Sequence, residues 1–73
     1  MSIEVVTQMP GTIVSIAVAV GDHVAAGQEM AVIESMKMEV PIEAPLSGTV
    51  NAVVMAEMAV ANEGDVVFRI DPD

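Results

Sequence analysis

Two apolar, β-favouring runs, at 30–33 and 40–42, flank a short polar break near the middle of the chain. Strand-forming runs with a short polar break between them are typical of a β-hairpin. We predict that Met36 and Lys37 are the two central residues of its turn. The cross-strand pairs that follow are Ser35–Met38, Glu34–Glu39, Ile33–Val40, Val32–Pro41 and Ala31–Ile42.

This register sorts the side chains of the hairpin into two faces. Because side chains alternate along a strand, one face is wholly apolar and the other mostly charged, and a slip of one residue would mix the two sets. The apolar face holds Ala31, Ile33, Val40 and Ile42, and the other holds Val32, Glu34, Glu39, Pro41 and Glu43.

The chain also repeats itself. A shift of 37 positions aligns the two halves without a gap, and glycines at matching places imply matching turns. We therefore predict a pseudo-twofold domain in which the chain ends occupy the place equivalent to Lys37. The clearest matches are Gly11/Gly48, Thr12/Thr49, Ala19/Ala56, Gly27/Gly64 and Ile33/Ile70.

Short strands with Gly and Pro between them are predicted along the whole chain, the pattern of an all-β sandwich or barrel. Residues 50–61 are ambiguous, because their apolar spacing and their Ala, Met and Glu content favour a helix. The matching segment 12–16 is rich in β-branched residues, which favour strands, so we predict strands in both halves. The main predicted strands are 3–6, 12–18, 30–34, 38–43, 49–54 and 66–70.

The composition narrows the functional classes. Residues 1–73 are expected to form one small domain, without cysteine for disulfides or thiolate metal sites. A net charge of −9 and a single aromatic residue make nucleic acid and anionic membranes poor partners, and a basic protein surface a plausible one. No apolar run approaches the length of a membrane span and no signal peptide is apparent, so we expect a cytoplasmic protein.

Lys37 is the only lysine and, with Arg69, one of only two fixed positive charges. A lysine at a hairpin tip is ordinarily a solvated charge that protects an edge. However, neither central residue of this turn is Gly, Asn or Asp, and such a broken local rule often marks a functional site. The single histidine, His23, makes a poor metal site, and no nucleophile–base pair is apparent, so we expect neither metal nor catalytic residues.

The segment Glu34-Ser35-Met36-Lys37-Met38 resembles the attachment motif of biotinyl domains, in the biotin/lipoyl attachment family. The resemblance extends over the whole chain, through 10–13, 21–24, 27–28 and 44–50. It implies a flattened β-barrel or sandwich of two four-stranded antiparallel sheets, with the target lysine at an exposed hairpin tip. No insertion resembles the "thumb" of some bacterial carriers, so the thumbless type is expected.

The resemblance also implies a function. Biotin protein ligase would attach biotin covalently to Lys37, and the biotin arm would carry a carboxyl group from biotin carboxylase to a carboxyltransferase. The whole enzyme would be acetyl-CoA carboxylase-like or a related acyl-CoA or pyruvate carboxylase. The domain itself would be a non-catalytic carrier, monomeric in isolation.

Five further residues receive roles from the same resemblance. Met36 and Met38 would form the apolar pair that flanks the biotin site. The remaining three, Glu34, Ser35 and Glu39, would contribute to recognition by the ligase. Like charges directly across a strand pair are costly, which suggests a recognition role for at least one of Glu34 and Glu39, and Glu34 is preferred.

Other functions remain open at this point. A lipoyl carrier has the same fold, but its lysine typically lies in an Asp-Lys-Ala context. A structural or interaction module would leave Lys37 unmodified, and an enzyme would need an acid–base pair. One departure from the repeat is Met58-Ala59 in place of a second Gly-Asp, where we expect a differently shaped loop and an exposed Met58.

Overall fold

The computed structural model describes all residues, 1–73, and they form eight β-strands. The six longer predicted strands are all present, with ends that differ by at most two residues, and no helix interrupts them. Within 50–61, residues 50–53 and 60–61 are strand residues joined by a loop, so the segment forms no helix, as the repeat predicted. The strands are β1 (Ile3–Val6), β2 (Gly11–Ile16), β3 (His23–Val24), β4 (Glu29–Ser35), β5 (Met38–Glu43), β6 (Gly48–Val53), β7 (Val60–Ala61) and β8 (Val66–Pro72).

The strands form two four-stranded antiparallel sheets, in the orders β1-β8-β6-β3 and β5-β4-β2-β7. No ladder joins one sheet to the other, so the architecture is a sandwich and not a closed barrel. The predicted fold class is confirmed in this form. The structure contains no helix that is long and apolar enough to cross a membrane.

The two sheets are related by the 37-residue repeat. The shift maps β1 onto β5, β8 onto β4, β6 onto β2 and β3 onto β7, which reproduces the strand order of one sheet in the other. Backbone hydrogen bonds between the halves also come in equivalent pairs. The Gly21 N–H donates to the Val50 carbonyl (2.8 Å), and the Met58 N–H donates to the Ile13 carbonyl (2.6 Å).

Glycine is required where β2 and β6 begin. A Cβ on Gly11 would overlap the backbone carbonyl oxygen of Glu34, and a Cβ on Gly48 would overlap that of Asp71. Only a residue without a side chain allows this approach. The matching glycines of the repeat thus hold β2 against β4 and β6 against β8.

The loop at Met58 corrects one expectation. Met58 has a left-handed φ of +70°, close to the +98° of its counterpart Gly21, so the loop keeps the shape of the first half. The Met58 side chain is 70% exposed, as expected. A non-glycine residue in this region costs about 1–2 kcal/mol. The equivalent hydrogen bonds of both loops offset that cost.

One apolar core lies between the sheets. Its largest fully buried side chain is Phe68, and Met30 is fully buried in it as well. Met55 is partly buried against this core. The core residues are Val5, Ile13, Val24, Met30, Ala31, Ile33, Ile42, Ala44, Val50, Ala61, Val67, Phe68 and Ile70.

The two chain ends lie together, in the place that the repeat assigns to the counterpart of the hairpin tip. The Ser2 hydroxyl donates to Asp71 (3.4 Å), and Asp73 contacts the ring of His23 (2.9 Å). The sheet pairing continues to this end, since Ile3 lies opposite Ile70. The chain termini therefore occupy the end of the domain that the repeat relates to the hairpin tip.

Candidate functional site: the β4–β5 hairpin

The β4–β5 hairpin has the predicted register in all five pairs. Its turn consists of Met36 and Lys37, both with left-handed φ values, +53° and +66°. Two positive φ angles define the type I′ turn that suits the twist of a two-residue hairpin. Neither residue is Gly, Asn or Asp, so each costs about 1–2 kcal/mol in this conformation. Strain of this kind persists only where the surrounding structure imposes it, and here the paired strands do so.

The body of the hairpin is held firmly and its tip is free. Ile33 and Ile42 are buried, and β4 lies between β5 and β2, with Thr12 opposite Glu34. Beyond Glu34, β4 has no partner other than β5. The side chains from Ser35 to Met38 therefore project past the last row of the sheet.

Lys37 stands at this apex. Its side chain is exposed and makes no hydrogen bond and no ion pair. The two ion pairs of the molecule, His23–Asp73 and Arg69–Glu4, lie on the other sheet. The amine is thus available to an outside partner, as a covalent attachment site requires.

The flanking methionines are exposed apolar side chains. Met36 is 93% exposed and Met38 is 65% exposed, so neither residue is part of the buried core. Methionine is flexible and polarisable, which suits it to an adaptable contact with another surface. Ser35 is partly buried, opposite Met38.

Glu34 and Glu39 lie directly opposite each other, in the second pair of residues below the turn, and both are exposed. Neither forms an ion pair. Like charges in this arrangement repel, so the pair destabilises the hairpin slightly. Across the same sheet, Glu34 lies opposite Thr12 on β2, and Thr12 lies opposite the exposed Val60 on β7.

The structure also brings to the site two residues that the sequence analysis did not select. Met9 and Pro10, in the corner between β1 and β2, line a groove of about 360 Å³ beside the turn. We call this groove the tip groove. The only sequence signal for it was the Pro10-Gly11 corner, whose position under the hairpin depends on packing. The groove is lined by Met9, Pro10, Ser35, Met36, Met38 and Val40.

Comparison with known proteins agrees with this geometry. The family described as "Biotin-requiring enzyme" matches residues 1–70. The "Biotin/lipoyl attachment protein" of Bacillus subtilis (strain 168) is 46% identical over 63 residues, which are 86% of each chain. The "Biotin carboxyl carrier protein" of Streptococcus mutans is 42% identical over 62 residues, 85% of this chain and 48% of that protein.

Larger proteins contain a similar segment. The "Propionyl-CoA carboxylase alpha chain, mitochondrial" of Homo sapiens is 41% identical over 63 residues, 86% of this chain but 9% of that protein. The crystal structure of Kluyveromyces lactis urea carboxylase superimposes with a TM-score of 0.91 and 31% identity, over 97% of this chain and 6% of that one. The chain therefore spans most of the length of the B. subtilis protein, about half of the S. mutans protein and less than a tenth of the two carboxylases.

The chain belongs to the biotin/lipoyl attachment family. Within that family, the match to biotin-requiring enzymes and to a biotin carboxyl carrier implies covalently attached biotin as the cofactor. The residues present fit such a group, because the only lysine of the chain is an exposed and unpaired amine at the turn of a paired β-hairpin.

Proposed function

We propose that this chain is the biotin carboxyl carrier domain of a biotin-dependent carboxylase, with Lys37 as the biotinylated residue. The observation that carries the proposal is the solitary amine at the hairpin apex, free of any partner within the chain. Residues 1–73 would act as one carrier domain, cytoplasmic and monomeric in isolation. Intact mass after co-expression with a biotin protein ligase tests the proposal.

The residues around Lys37 define what the chain contributes to its own modification. An alkylammonium must lose a proton before it can attack an activated acyl group, and no carboxylate or imidazole of this chain contacts the lysine nitrogen. The ligase would therefore supply the base. The turn contributes presentation, since it holds the amine beyond the last row of the sheet where a second active site can enclose it.

The later role of the domain is positional. Biotin, when bound, carries a carboxyl group on its ring. The chain contributes a stiff support and a covalent tether, so that two active sites are visited in turn at high effective concentration. Biotin carboxylase and a carboxyltransferase would be the two partners, and the domain would catalyse neither reaction. The acceptor would be an acyl-CoA, as in an acetyl-CoA carboxylase, or pyruvate.

Truncation of either flanking methionine tests the recognition role of the pair. We expect Met36→Ala and Met38→Ala each to slow biotinylation about fivefold or more, because each removes an exposed apolar contact of the kind that dominates small interfaces. The melting temperature should change little, since neither side chain fills the core. The measurement is the initial rate of ligation with purified ligase, beside a thermal melt. A melting temperature that collapsed would instead make these residues part of the core.

Glu34 offers a test with a close internal control. Glu34→Gln should raise the stability by a few tenths of a kcal/mol, because it removes a like-charge pair, and it should slow ligation. Glu29→Gln removes a second like-charge pair, Glu29–Glu43, at the far end of the same two strands. It should bring a similar gain in stability without affecting ligation. Equal ligation rates for the two variants would contradict a recognition role for Glu34.

A further inference from the structure

The tip groove lies next to the core, just beyond Ile33, the last buried residue of β4 before the turn. Ser35, Met38 and Val40 lie on the same face of the hairpin as the buried Ile33, because side chains two apart share a face. Past Ile33 this face no longer meets the core, and the Met9–Pro10 corner lies beneath it. The result is an apolar recess with the attachment turn at its edge.

The pseudo-twofold repeat shows that this recess is particular to the lysine end. At the other end, the corner equivalent to Met9–Pro10 is Leu46–Ser47, and the Asp73 N–H donates to the Ser47 carbonyl (3.1 Å). The equivalent bond at the lysine end would join the Met36 N–H to the Pro10 carbonyl, and it is absent. Neither of the two grooves of the molecule is lined by Leu46, Ser47 or Asp73.

We propose that the tip groove is a resting site for the apolar part of the biotinyl group on Lys37, namely its valeryl chain and thiophane ring. The inference rests on the proposed function, since it requires biotin at Lys37. Two lining residues, Met36 and Met38, are the immediate neighbours of the attachment point. A tethered group therefore meets the groove at high effective concentration, so that weak contacts are enough for substantial occupancy.

The chemistry of the lining fits this occupant. The groove is lined by three methionine side chains together with Val40 and Pro10, and Ser35 supplies the only side-chain hydroxyl. Burial of the methylene chain and ring against these groups is favourable in proportion to the apolar area removed from water. The polar ureido ring would remain at the mouth of the groove, where solvent and partner enzymes reach it.

Methionine methyl groups provide a direct readout of the resting site. In the biotinylated chain, labelled with ¹³C at the methionine methyls, we expect nuclear Overhauser contacts between Met9 and the thiophane ring. The Met9 methyl resonance should also shift between the unmodified and biotinylated forms. Met30, in the core, and Met58, in a different loop, should not shift. Met36 and Met38 are less informative, because attachment at Lys37 alone perturbs them.

A kinetic measurement provides the second readout. If the groove holds the biotinyl group about half of the time, the rate of capture by streptavidin falls about twofold. Met9→Gln keeps the length of the side chain but makes the groove polar, so capture should become about twofold faster. Met58→Gln is the matched control and should capture at the wild-type rate. Thermal melts of both variants confirm that each is folded, and Met9→Leu should restore the slower capture.

The outcomes separate this inference from the proposed function. Met9 contacts to biotin together with faster capture by Met9→Gln support the resting site. A chain that is biotinylated at Lys37 but shows neither Met9 contacts nor a change in capture rate overturns the resting site and leaves the carrier function intact. A chain that takes up no biotin overturns both.

Discussion

Lys37→Arg is expected to abolish biotin attachment completely while leaving the fold unchanged. The guanidinium keeps the positive charge and the length of the side chain, but it stays protonated at all accessible pH values and cannot serve as the acyl acceptor. Lys37 makes no hydrogen bond or ion pair, so the exchange removes no contact within the domain. The measurement is the intact mass of the chain after co-expression with a biotin protein ligase, beside its melting temperature.

Arg69→Lys is the matched control for this experiment. It creates a second exposed lysine, on β8 of the other sheet, in the position that now pairs with Glu4. This lysine lies within a paired strand instead of at a turn, so we expect a single biotin in Arg69→Lys and none in the double variant with Lys37→Arg. Biotin retained by Lys37→Arg, or a lipoyl increment in the wild-type chain, would contradict the assignment of Lys37 as a biotin site.

Phe68→Ala should be the most damaging substitution in the core. Phe68 is fully buried on β8, a strand paired on both sides, and it is the only aromatic residue of the chain. Loss of a buried phenyl ring costs about 3–5 kcal/mol, through lost burial and the cavity that remains. A domain of this size has a stability of roughly 4–11 kcal/mol. The variant should therefore lose much of its stability, as measured by chemical denaturation.

Phe68→Leu tests whether the stability lost in Phe68→Ala comes from the cavity or from any substitution at this position. It refills most of the volume with another apolar side chain, so we expect a smaller loss, about 1–2 kcal/mol. Because Phe68 lies far from the turn in sequence and inside the core, the folded fraction of either variant should still be biotinylated. Equal losses for the two substitutions would show that packing volume is not what Phe68 provides.

The hairpin and the repeat could be read from the sequence because both depend on local rules. A two-residue period sorts the side chains of β4 and β5 onto two faces, and only one register keeps those faces distinct. The glycines of the two halves recur at the same interval, and the structure places Gly11 and Gly48 in equivalent close contacts. The helical spacing of 50–61 did not produce a helix, since residues 50–53 pair with β8 as their counterparts 13–16 pair with β4.

The conformation of the Met58 loop did not follow from residue type. A methionine at this position suggested a new loop shape, yet its φ remains left-handed. The backbone bond to Ile13 and its equivalent between Gly21 and Val50 hold both loops in one geometry. Hydrogen bonds between the halves therefore outweigh the preference of methionine for a negative φ. The conformational cost is offset only in the folded structure, where those bonds form.

The amino-acid sequence alone determined the strands, the register of the hairpin and the position of the only lysine at its turn, because alternation and turn spacing act between near neighbours. Only the tertiary structure decided which corner lies under that turn, and that the recess there stays open while its counterpart at Ser47 closes on Asp73. Those features depend on how the two halves of the chain pack against each other. The pattern of residues within either half does not specify that packing.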